Sequence, residues 1–118
     1  MSFTAYGFAD YNTIKWTTAS ETNNSGFELL RLNESTKSFE QIAWLEGAGT
    51  TNKYVHYEWK DYDVSHNTDY YYKLRQLDFD GTYNFSEVVH VRYDLNKSIG
   101  LEVIPNPVSS EAKLRFLL

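Results

Sequence analysis

Apolar and aromatic residues in this chain recur at every second position in short runs, and almost nowhere at the three-and-four spacing of a helix. The run Thr68-Asp69-Tyr70-Tyr71-Tyr72-Lys73-Leu74-Arg75 shows it most clearly. An extended backbone puts Tyr70, Tyr72 and Leu74 on one face and Tyr71, Lys73 and Arg75 on the other. Similar segments alternate with clusters of Gly, Asn, Asp, Ser and Thr, a pattern that predicts an all-β protein of about seven strands closed as an immunoglobulin-like antiparallel sandwich.

Read along the chain, Phe3 to Phe8 is a weak first strand, and Asp10-Tyr11-Asn12 turns it into a second over residues 13–17. There Ile14 and Trp16 share a face, with Thr13, Lys15 and Thr17 opposite. Ser20 to Gly26 reads as a polar loop, then Phe27 and Leu29 face one way and Leu30 and Leu32 the other. A fourth strand covers Phe39 to Glu46 and is closed by Gly47-Ala48-Gly49. Tyr54, Tyr57 and Trp59 mark a fifth that ends at Asp61. Asp78-Phe79-Asp80-Gly81 predicts a hairpin, because Asp-Gly supplies the positive φ such turns require. The last strand runs from Ser86 to Tyr93. The expected core is Trp16, Phe27, Leu29, Tyr57, Trp59, Tyr70, Tyr72, Leu74, Val89 and Val91, with Tyr70 placed to act as a tyrosine corner.

Composition narrows the partners. Net charge is -5 with eleven basic residues, unclustered, which offers no footprint for a phosphate backbone, so no nucleic acid is expected. Apolar runs fall far short of the ~20 residues that cross a bilayer, and no charged start precedes one. Neither a membrane span nor a signal peptide is therefore expected in the sequence as given. With no cysteine there is no disulfide or thiolate chemistry, and the compartment stays open on that count.

Both prolines fall in Ile104-Pro105-Asn106-Pro107. A Pro-x-Pro doublet reads as an extended joint. One domain over residues 1–96 is expected, followed by a linker and the start of a second unit over 97–118. Several segments together carry a resemblance: Ile14-Lys15-Trp16-Thr17-Thr18-Ala19-Ser20-Glu21-Thr22-Asn23-Asn24, the following Phe27-Glu28, the run Tyr70 to Gly81, and Pro105-Asn106-Pro107. The chain resembles the fibronectin type III-like domain that precedes the C-terminal sorting domain in proteins exported by the type IX secretion system of Bacteroidota. The resemblance implies a parent protein that is secreted or held at the cell surface, with Pro105, Asn106 and Pro107 opening a sorting domain cut short after Phe116. A complete sorting domain would engage the secretion machinery. The chain departs from the family in carrying Leu30, Leu32 and Trp44 where polar residues are common.

Signals for catalysis are weak. His56, His66 and His90 fall on strand, loop and strand without ligand spacing, and read as surface histidines. Asp78 and Asp80 lack the later acidic ligand of a calcium loop, since position 89 is valine. Asp61 and Asp63 read as an ordinary loop pair rather than a glycosidase pair. No catalytic, cofactor or metal site is expected. Sequons at Asn23, Asn33, Asn84 and Asn96 read as chance. Within the polar loop, Glu21 is expected to pair with a base or with backbone amides.

One surface stands out. In such a sandwich Leu30, Leu32, Trp44, Tyr71, Lys73 and His90 should share the outer face of one sheet, more apolar than a solvated face. Leu30 and Leu32 favour a protein contact there, either a neighbouring domain or a second copy in weak self-association. The expected function is a non-catalytic accessory domain that spaces and supports the sorting region of a larger exported protein. The alternative is a carbohydrate-binding module that presents Trp44 and Tyr71 to a polysaccharide.

Overall fold

The computed structural model describes residues 1–8 and 10–93. The proposed joint at Pro105, Asn106 and Pro107, and the unit over 97–118, lie outside the described residues. Among the described residues there are eight strands: β1 (Ser2–Phe8), β2 (Tyr11–Thr18), β3 (Glu21–Asn33), β4 (Ser38–Thr51), β5 (Val55–Asp61), β6 (Thr68–Asp78), β7 (Tyr83–Phe85) and β8 (Val89–Tyr93). They form two antiparallel sheets, a three-stranded one in the order β1-β2-β5 and a five-stranded one in the order β4-β3-β6-β7, with β8 also on β6. The all-β sandwich predicted from alternation is the fold observed.

The facing sides close around Trp16. Its indole stacks on Tyr57 at 5.5 Å between ring centroids and meets Phe27 and Phe3 edge-on at 5.6 and 6.3 Å. Ile14, Leu29, Tyr72, Leu74 and Val91 complete the buried centre, and Tyr70 and Val89 are partly buried against it. Trp59 is the exception to the expected core. It keeps the period-two face of Tyr57, but β5 is the edge of the smaller sheet, so the ring is 38% exposed.

Five strand boundaries differ from expectation, each for a local reason. Tyr11 and Asn12 already belong to β2, since Phe8 pairs with Tyr11 and Gly7 with Asn12. The polar stretch from Glu21 is strand, and β4 continues through Gly47-Ala48-Gly49, because these two polar segments pair with each other through register shifts at Asn24. Tyr54 lies outside β5 and is exposed. The last strand is interrupted. Arg75 pairs with Phe85 but Tyr72 with Val89, which leaves one extra residue on the outer strand, the mark of a β-bulge. Ser86 bridges the gap, its N–H donating to the Leu74 carbonyl and its Oγ accepting the Leu74 N–H at 2.8 Å. The hairpin after β6 forms as expected, with Gly81 at φ 92° and its N–H donating to the Asp78 carbonyl. Tyr70 accepts the Ser65 N–H at 2.6 Å, five residues upstream, which is tyrosine-corner geometry at the β5–β6 connection.

Candidate functional site

Among the described residues two carboxylates are buried, Glu21 and Asp61, and both serve the fold. Glu21, on β3 of the larger sheet, accepts hydrogen bonds from Thr18 Oγ1, Tyr57 Oη, Asn24 Nδ2 and the Ala48 N–H at 2.7, 2.6, 2.7 and 2.9 Å. Thr18 and Tyr57 belong to the smaller sheet, so this side chain ties the sheets at one pole. Burial pushes its carboxyl pKa up, but the bonds from Tyr57, Asn24, Ala48 and Thr18 outweigh burial and hold it below the ordinary value. The expected backbone-amide partner is there, and among the described residues no base. Burial and the bond to Glu21 together raise the Tyr57 pKa, which keeps the phenol a donor.

Asp61, on β5 of the smaller sheet, does the same at the opposite pole. It accepts from Tyr72 Oη at 2.7 Å and pairs with Arg31 at 2.8 Å, both from the larger sheet. Arg31 also reaches Asp63 at 3.2 Å, and burial together with its bond to Asp61 raises the Tyr72 pKa. Asp61 and Asp63 are thus an intersheet fastener, not the ordinary loop pair the sequence suggested. Asp80 is held in a turn by Thr82, whose N–H and Oγ1 both donate to its Oδ1.

The remaining chemistry lies on the outer face of the larger sheet. Cross-strand register places Trp44 opposite Glu28, Glu28 opposite Arg75 and Arg75 opposite Phe85. Arg75 makes two bonds to the Glu28 carboxylate, each 2.9 Å, and its guanidinium lies 4.7 Å from the Tyr83 ring centroid. One row along, Gln41 faces Leu30 and Leu30 faces Lys73. Lys73 Nζ sits between the rings of Phe39 and Phe85, 4.5 and 4.3 Å from their centroids. These side chains surround an open hollow of 490 Å³ lined by Glu28, Leu30, Phe39, Gln41, Lys73, Arg75 and Phe85.

Of the six residues singled out in the sequence, Lys73 and Leu30 come together, and Tyr71 stacks on His90 at 4.8 Å while His90 bonds Asp69 at 2.8 Å. Leu30 is not an exposed patch residue; it is only 8% exposed, at the floor of the Lys73 hollow. Leu32 lines a separate hollow with Ile42 and Tyr70. Trp44 is 42% exposed, its indole lying over Gly26, where an added Cβ would stand 2.3 Å from Trp44 Cζ2. Two strand spacings and four residues separate Trp44 from Tyr71, about 10 Å by 13 Å, so they do not form one platform. Sequence reading missed Phe39, Tyr83 and Phe85; the Phe39-x-Gln41 and Tyr83-x-Phe85 alternation was the available signal.

No protein-family model matches the chain, and no curated protein matches it. Among solved structures, an Fn3-like protein from Clostridium thermocellum is similar, with a TM-score of 0.58 at 17% identity over 86% of this chain and 93% of that one. The fold is a fibronectin type III-like β-sandwich. Pectate lyase Pel3 from Pectobacterium carotovorum is similar at TM-score 0.54 and 14% identity, over 76% of this chain and 26% of that one. A beta-1,2-glucanase from Parabacteroides distasonis is similar at TM-score 0.53 and 17% identity, over 80% of this chain and 12% of that one. The chain thus spans a minor part of each of those enzymes. At such identities the fibronectin type III-like likeness is one of fold, which by itself carries no chemistry.

Proposed function

We propose that the chain is a non-catalytic accessory module that holds neighbouring domains apart in a larger secreted or cell-surface protein. The observation that carries this is where the sandwich receives and releases the chain. Ser2 pairs with Thr17, at the pole fastened by Glu21, whereas Tyr93 pairs with Thr68, at the pole of Asp61. Segments joined at the two ends thereby leave from opposite poles of the sandwich. The aromatic centre and two intersheet fasteners make that body stiff. Two enzymes of which this fold matches only 26% and 12% support an accessory role for it. The resemblance at Trp16–Asn24, Tyr70–Gly81 and Pro105-Asn106-Pro107 supports a parent exported by type IX secretion, with neighbouring domains and the secretion machinery as its partners.

Exchange of residues 1–93, within the full-length parent, for an unrelated β-sandwich of equal length tests the spacer role. Export and parent activity are expected to stay within twofold; loss of parent activity would show that this module contributes chemistry of its own. Deleting the parent from residue 97 onward is expected to abolish surface delivery, and unchanged delivery would remove the sorting assignment.

A further inference from the structure

The geometry points to the hollow around Lys73 as a binding site for a carboxylate-bearing glycan chain, a reading independent of the spacer role. Charge is the first reason. On the outer face of the larger sheet Arg75 is neutralised by Glu28, and His90 and Arg92 both reach Asp69, whereas Lys73 has no carboxylate within ion-pair distance among the described residues. Among the described residues its ammonium is steadied by the π faces of Phe39 and Phe85, which attract a cation without cancelling its charge. An anionic group entering the hollow meets one positioned, uncompensated donor.

Shape and the state of the backbone select the kind of anion. The hollow's 490 Å³ lies within the ~300–1,000 Å³ usual for small-ligand sites, and Phe85 at its rim is 51% exposed. Its floor is made by β3 and β6, each of which already has a strand on both sides. An extended acidic peptide would find no free main-chain groups there, and main-chain bonds supply the affinity in strand-addition recognition. A sugar chain needs none. Its apolar ring faces stack on Phe85 and Phe39, its hydroxyls meet Gln41 and the Glu28–Arg75 pair, and a uronate carboxylate reaches Lys73. The site differs from a Trp44 and Tyr71 platform, which the register keeps apart.

Affinity electrophoresis of the full chain in gels containing alginate, neutral β-glucan or polyglutamate tests the assignment. Retardation by alginate alone is expected, weakened at least tenfold in K73Q and F85A and kept in K73R. K15Q removes the lysine held over Tyr6 on the smaller sheet and should change nothing. Tryptophan fluorescence confirms that each variant is folded, and K73Q keeps most of the aliphatic stem over Leu30. No retardation by alginate overturns the proposal, as does equal retardation by polyglutamate, which would reveal charge attraction only. A concentration-dependent dimer dispersed by K73Q would also overturn it, assigning the face to protein contact.

Discussion

Replacing Glu21 by glutamine isolates what one buried charge does for this sandwich. The two donors on Oε1 are the Asn24 amide and the Ala48 N–H, which can only donate; those on Oε2 are the hydroxyls of Thr18 and Tyr57, which can turn and accept. A glutamine amide can therefore keep its oxygen toward Asn24 and Ala48 and offer its NH₂ to the hydroxyls. The geometry survives and the charge assistance does not. Each bond weakens by ~1 kcal/mol, about 4 in all, and the desolvation cost that vanishes with the charge returns part of it. E21Q should therefore lose about 2 kcal/mol at pH 7, read by urea denaturation with tryptophan fluorescence. The pH dependence has a defined sign. Because the folded-state pKa of Glu21 lies below the ordinary carboxylate value, its contribution is fully present above the unfolded-state pKa and is lost as pH falls through the folded one. The gap between wild type and E21Q should accordingly close on acidification toward pH 3. E21L, which strands the Ala48 N–H and the Asn24 amide, should cost about 2–6 kcal/mol. A gap that stays constant between pH 7 and pH 3, or an E21L no worse than E21Q, would refute this account.

At the other pole, R31A should destabilise by about 3 kcal/mol, since it leaves Asp61 buried beside Tyr72 without its cation; chemical denaturation reads it, and a loss under 1 kcal/mol would mark Asp61 as solvated. Y70F removes the acceptor of the Ser65 N–H and should cost about 1 kcal/mol, seen as a lower midpoint with unchanged denaturant slope. G26A should cost ~1–3 kcal/mol and shift the Trp44 emission, because the new methyl meets the indole and stands 2.7 Å from the Leu45 carbonyl oxygen; unchanged emission would mean the indole does not rest on this glycine.

Alternation made the sandwich legible. Tyr72, Leu74, Ile14, Trp16, Phe27 and Leu29 lie on the faces that period two assigns them, because a one-residue slip would turn every one to solvent. Burial was less legible than facing. Period two gives Trp59 the side of Tyr57, but only the strand order reveals that β5 is an edge. Ser20–Gly26 and Gly47–Gly49 read as loops because the strand character of these segments comes from pairing between β3 and β4 and from Glu21, not from local propensity. The hollow around Lys73 was half legible: Leu30 and Lys73 were on the right face, but Phe39 and Phe85 join them only through pairing across β3 and β6.

The two fasteners explain how a chain without cysteine keeps its sheets aligned. Glu21 belongs to the larger sheet and takes a tyrosine hydroxyl from the smaller; Asp61 belongs to the smaller and takes one from the larger. Sliding one sheet over the other in either direction would pull a buried carboxylate from its donors, and an unpaired buried charge costs several kcal/mol. Hydrophobic contact around Trp16 is non-directional and tolerates such sliding. The apolar centre therefore supplies the bulk of the attraction, while the pair of carboxylates, one at each pole, makes a single alignment of the sheets the favoured one. The spacer role proposed above calls for that second property as much as the first, since Ser2 and Tyr93 lie on different sheets and a pull between them would act as shear across the core.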